Sequence, residues 1–174
     1  MLARTLCGRD ACAPRIIDFI RQIGIEVEVA VIEEETFLPG ILIKEGKLLV
    51  DRDKLLYPGD LLHEAGHLAV MPGRDRQVSA GNIGEEQEYN KAASEEMMAI
   101  AWSYAALTHL KLPPEVVFHP NGYKGSSAWL IEQYTGGKYI ALPTLQWIGL
   151  CYDEQRAVEM NTPPFPHMVK WLRD

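Results

Sequence analysis

Leu61-Leu62-His63-Glu64-Ala65-Gly66-His67-Leu68-Ala69-Val70 places two histidines four positions apart, with a glutamate directly after the first. On an α-helix of 3.6 residues per turn, His63 and His67 stand one above the other on a single face, so both rings can offer a nitrogen to one metal ion. Zinc suits such imidazole ligands. Glu64 lies about 100° around the same helix, near enough to reach a water on the ion without itself being a ligand, which is the position of a general base. The spacing HExxH arises by chance in about one in eighty shuffled chains of this composition, so its surroundings matter. Leu61, Leu62, Leu68, Ala69 and Val70 make both flanks apolar, Ala65 and Gly66 are small, and Pro72 stops the helix. The bland alternative is a pair of solvated histidines. A buried helix with these flanks must instead satisfy three polar side chains at once, and a metal does so.

Working back toward the start, Pro58 is tolerated only in a first helical turn, so the HEAGH helix begins near 58 to 60. Gly40 to Val50 reads as two short apolar runs around Lys44-Glu45-Gly46-Lys47, a β-hairpin. Ile25 to Ile32 alternates apolar and acidic residues as a half-buried strand does, and Pro14 to Gly24 spaces Ile16, Ile17, Phe19, Ile20 and Ile23 as an amphipathic helix. Glu33 to Glu35 form a solvated turn and not a metal site, since no histidine lies near them in the sequence.

Downstream, Gly73 to Ser94 is too polar for a core and reads as a loop over the site, with a helix starting near Glu85, a break near Ser94, and an end near Leu110. Met97 to Leu107 is almost wholly apolar or small, as a core helix is. That helix offers two carboxylates for a third ligand, Glu95 and Glu96, about 100° apart. Met98, Ala99, Trp102 and Ala106 lie on the Glu95 side, and Ala99, Ile100, Ser103 and Leu107 on the other, so periodicity alone leaves both faces open. Glu96 shares its face with the small Ala99 and Ser103, which would let this helix come close to Ala65 and Gly66. Glu96 is therefore expected as the ligand, and Glu95 as a surface or supporting carboxylate.

Together these features resemble the ImmA/IrrE family of zincin-like metallopeptidases: helix, strand, hairpin with the Gly40-Ile41-Leu42-Ile43 run, HExxH helix, then a glutamate-led second helix. The resemblance covers roughly residues 37 to 107. It implies His63 and His67 as metal ligands, Glu64 as the catalytic glutamate, and the Glu96-Met97-Met98-Ala99-Ile100-Ala101 run as the source of the third ligand. Met98 and Ile100 stand where the family often has Asn or Asp and an aromatic residue, so the polar support around the metal differs here. No helix-turn-helix region of the kind some members carry is visible.

The rest of the chain is expected to pack around this unit. Leu112 to Gly125 is rich in turn residues and carries His119 and Tyr123, each able in principle to steady an oxyanion, although packing roles are the simpler reading. Ser126 to Tyr134 reads as a helix, Lys138 to Leu142 as a short strand, Pro143 to about Met160 as a last long helix, and His167 to Arg173 as a short amphipathic end. Trp129, Tyr139 and Trp147 are expected in the core. The three cysteines, Cys7, Cys12 and Cys151, lack a zinc-knuckle spacing and read as thiols.

With 174 residues and 47% hydrophobic content, the chain suits one α+β domain over 1–174, with a small antiparallel sheet beside the HExxH helix. A net charge of −7 argues against a nucleic-acid surface. Residues 1–12 lack the apolar run of a signal peptide or membrane anchor, so a cytoplasmic protein is expected. The expected function is zinc-dependent hydrolysis of a peptide or protein substrate. Two alternatives stay open: a zinc-binding scaffold of the same kind without turnover, serving regulation or interaction, and an acidic interaction domain with no metal.

Overall fold

The computed structural model describes residues 9–79 and 89–174. The apolar stripe near the start forms α1 (Arg9–Gln22), which buries Cys12, Ile16, Ile17, Phe19 and Ile20. It begins ahead of Pro14, which sits inside the helix and removes one backbone donor there. Cys12 is disulfide-bonded, where a thiol was expected, and Cys151 is a buried free thiol.

Three strands follow: β1 (Val27–Val29), β2 (Ile41–Lys44) and β3 (Lys47–Val50). The hairpin is where the sequence puts it, and Glu45 and Gly46 turn it with φ of 52° and 74°, the two positive values of a type I′ turn. The sheet is mixed and not antiparallel. Its order is β1-β3-β2, with β2 antiparallel to β3 but β1 parallel to β3, Val27 opposite Leu48. The reason lies in the crossing segment. Ile32 N donates to Asp51 Oδ2 (3.1 Å) and Lys54 Nζ to the Ile32 carbonyl, which fixes the chain leaving β1 at the far end of β3. Glu33 to Glu35 are exposed there, as expected.

Against α1 lies α2 (Asp60–Val70), followed by the short α3 (Gly73–Arg76) and the long α4 (Tyr89–His109). A helix start near Glu85 lies outside the described residues, but α4 passes Ser94 without a break. α2 and α4 pack closely because small residues meet. A Cβ on Gly66 would stand 2.9 Å from the Ala99 carbonyl oxygen and 3.2 Å from its Cα. Ser103 Oγ, fully buried, donates to the Ala99 carbonyl (2.6 Å) and lies 3.2 Å from that of Leu62, joining the helices.

The last third departs most from expectation. α5 (Ser127–Thr135) is present, but Lys138 to Leu142 form no strand. Ala141 takes a left-handed φ of 65°, and Tyr134 donates its hydroxyl to the Ile140 carbonyl, so the chain turns into α6 (Leu142–Trp147). The expected long helix is two short ones. Gly149 breaks it at φ 79°, Cys151 pairs with Met168 in an isolated bridge, and the Asp153 side chain accepts from Arg156 N to start α7 (Glu154–Glu159). Two positions apart on one helix, Leu145 and Trp147 lie on opposite faces of α6, so Leu145 faces the core and Trp147 is left 81% exposed. Trp129 is 49% exposed, also against expectation, whereas Tyr139 packs with Tyr104, Tyr134 and Phe165 as expected. The end of the chain is an irregular run of bends, with Trp171 edge-on against Phe19 and Trp102. Among the described residues, no helix is long and apolar enough to cross a membrane.

Candidate metal centre

The close approach of α4 to α2 brings Glu96 to the two histidines. His63 Nε2 and His67 Nε2 are 3.1 Å apart, Glu96 Oε1 lies 3.5 Å from the first, and Glu96 Oε2 lies 3.1 Å from the second. The donor atoms of these three residues all fall within 4.8 Å of one another. Four-coordinate zinc with bonds of about 2.0–2.1 Å sets its ligand atoms roughly 3.3 Å apart, so the observed separations bracket what such an ion requires. The chemistry of the donor set fits as well: two imidazole nitrogens and one carboxylate, with His67 buried and Glu96 43% exposed along its side chain. Without a cation, two imidazole nitrogens at this distance can share one proton at best.

The electrostatics agree with that geometry. Burial alone would raise the Glu96 carboxyl, but hydrogen bonds from His63 and His67, and their charge, outweigh it and hold Glu96 well below the usual carboxylate range. Glu64, one residue past His63, is shifted the other way. Burial raises it, Asp60 and Glu96 add to the rise, and His67 offsets part of it. Two carboxylates beside the same histidines are thus driven apart, one toward the ionised form and the other toward a group that holds a proton more readily.

Behind the histidines stands the loop from the end of α4 to α5. Tyr123 sets its hydroxyl 3.4 Å from His63 Nδ1, the nitrogen facing away from Glu96, with its ring edge-on to the imidazole. Burial, and then Asp60, Glu96 and Glu64, push the Tyr123 hydroxyl well above its ordinary range, so it keeps its proton. His119 does not point at the donor triad. It is buried, its Nε2 is 2.9 Å from Asp60 Oδ1, and its ring stacks on Tyr57 with centroids 3.7 Å apart. Asp60 itself is raised by burial, an effect that His119 and His63 partly reverse. His67 Nδ1 and His119 Nδ1 are both buried without a hydrogen-bond partner among the described residues.

The structure therefore brings together His63, His67 and Glu96, with Glu64 on the same helix as the histidines. It separates His119 and Tyr123, the two oxyanion candidates, into different tasks: one is locked to Asp60, the other rests on His63. Asp60 and Tyr57 went unread in the sequence. For Asp60 a signal existed, since it precedes His63 by three positions and Glu64 by four and so sits one helical turn ahead of them. For Tyr57 there was none, because its partner His119 is distant in the chain.

Comparison of the chain with protein-family models, with curated proteins and with solved structures finds no match.

Proposed function

We propose that the chain is a zinc-dependent peptidase of the zincin kind, similar in its metal helix to the ImmA/IrrE enzymes. The observation that carries the reading is the convergence of His63 Nε2, His67 Nε2 and the Glu96 carboxylate at ligand-like separations. Zinc held by these three side chains would supply a Lewis acid for the scissile carbonyl and for the water that attacks it. Glu64 takes the proton of that water on its carboxylate and returns it to the leaving amine nitrogen. Burial, which raises the Glu64 carboxyl, favours a group that accepts a proton and passes it on. Glu96 stays ionised as a ligand throughout. Elemental analysis of the purified chain tests the proposal: about one zinc per chain is expected, and protein that is metal-free and takes up none when supplied would overturn it. In the Glu64→Gln variant, zinc should remain while peptide hydrolysis falls to background.

A second reading is favoured by the loop behind the site. His119 has its Nε2 engaged by Asp60 and is buried, so it does not offer that nitrogen to a substrate oxyanion. This supports a zinc-binding scaffold without turnover. A peptide library incubated with zinc-loaded protein separates the two readings, since the scaffold leaves every peptide intact.

A further inference from the structure

Residues 122–127 are built in an unusual way. Tyr123, Lys124 and Gly125 take φ of 54°, 51° and 83° in succession, so two residues with side chains sit in the left-handed region side by side. Such a conformation costs about 1–2 kcal/mol per residue, and a bulky residue there is uncommon. The surrounding contacts enforce it. Gly122 N donates to the His119 carbonyl (3.0 Å), Gly125 N to that of Gly122 (3.1 Å), and Ser126 N to that of Tyr123 (2.9 Å). Ser127 Oγ, in a buried residue, donates to the His119 carbonyl (2.7 Å). A Cβ at Gly122 would stand 3.1 Å from the His119 ring, which Asp60 and Tyr57 hold in place. Phe118 meets the Tyr123 ring edge-on at 5.3 Å. The result is a tyrosine fixed from below, from behind and along its backbone, with its hydroxyl at the outer nitrogen of His63.

We infer that Tyr123 is a positioning residue for the metal centre: its hydroxyl oxygen accepts the Nδ1 proton of His63, which fixes the ring's orientation and leaves Nε2 bare for the ion. A metal-bound histidine carries its proton on the other nitrogen, and a partner for that proton sets the tautomer and the ring angle. The second histidine makes the contrast. His67 Nδ1 has no such partner among the described residues, so the support falls on one ligand of the two. Strain in the backbone is the cost of presenting Tyr123 there.

The inference rests on the metal reading above, and zinc titration of the full chain distinguishes failure of one from failure of the other. Tyr123→Phe removes one oxygen and keeps the ring against His63 and Phe118. It should bind zinc about ten- to a hundredfold more weakly than wild type. In the zinc-loaded wild type, nitrogen NMR should find the His63 Nδ1 proton in slow exchange. In Tyr123→Phe that proton should exchange much faster, while the His67 signal stays where it was. A merely structural role for the ring predicts instead that Tyr123→Phe matches wild type in both measurements and that only Tyr123→Leu weakens binding, and that result overturns the inference alone. A wild-type chain that takes up no zinc overturns the metal reading and this inference with it.

Discussion

The two ends of α2 are held by different chemistry. At its N-terminal end the contacts run through side chains: Asp60 to His119, His119 stacked on Tyr57, and Tyr123 against His63. At its C-terminal end they run to the backbone. Arg76 gives Nε to the Leu68 carbonyl (2.8 Å) and Nη2 to that of Met71 (3.1 Å), while Arg173 N donates to the Ala69 carbonyl (2.9 Å). The same Arg76 Nη2 also reaches the Arg173 carbonyl at 2.7 Å, which ties the tail to the helix. A helix leaves its last carbonyls unpaired and its C-terminus partially negative, so two arginines there answer a need that any sequence in α2 would create. The contacts at the other end answer a need of these particular side chains. One end anchors the helix, and the other adjusts what it carries.

That division can be broken in order of expected effect. His63→Ala and His67→Ala should each lose zinc altogether, read by elemental analysis, while the fold measured by circular dichroism persists. Glu96→Gln should weaken zinc about a hundredfold or more, against a change of less than about threefold for Glu95→Gln, if ligand identity dominates over charge. The reverse pattern would move the third ligand to Glu95. Arg76→Ala should lower unfolding free energy by about 2–3 kcal/mol, since it removes charge-assisted bonds to several carbonyls, yet leave zinc affinity of the folded protein unchanged. A matching drop in affinity would mean that the ends are not separable. Arg173→Ala keeps its backbone N–H, and its guanidinium is 3.4 Å from the Val70 carbonyl, so the change should stay within about 0.5 kcal/mol. Lys124→Gly relieves one left-handed residue and, after glycine's own entropic cost, should stabilise the chain by about 0.5–1 kcal/mol in denaturant titration.

What could be read in the sequence follows the same line. The helix of the histidines, the hairpin and the core helix were legible because their signals are local: period, turn residues and the spacing of His63 and His67. That Glu96 comes to lie beside His63 and His67 was legible for a less local reason. Small residues at Gly66, Ala99 and Ser103 state how near two helices can come before the structure is known. The mixed sheet was not legible, because it depends on Asp51 capturing Ile32 across the crossing segment. Nor were the exposed Trp147 and Trp129, whose burial was expected from side-chain type alone and decided by which face of α6 and α5 turns to the core, that of Leu145 in one and of Leu130 and Tyr134 in the other. The long-range arginine contacts and the Tyr57 stack join residues far apart in the chain, and no pattern in either partner announces the other.

The tail contacts also impose an order of assembly. Arg173 N reaches the Ala69 carbonyl, so part of the last turn of the histidine helix is closed by a residue made about a hundred positions after it, while Trp102 Nε1 donates to the Trp171 carbonyl (2.9 Å) and ties the same tail to α4. During synthesis, α2 can pair with α4 as soon as both have left the ribosome, and its donors can begin to gather. Arg76 can close the Leu68 and Met71 carbonyls soon after α2 is made, whereas the Ala69 carbonyl, two residues past His67, waits for the N–H of residue 173.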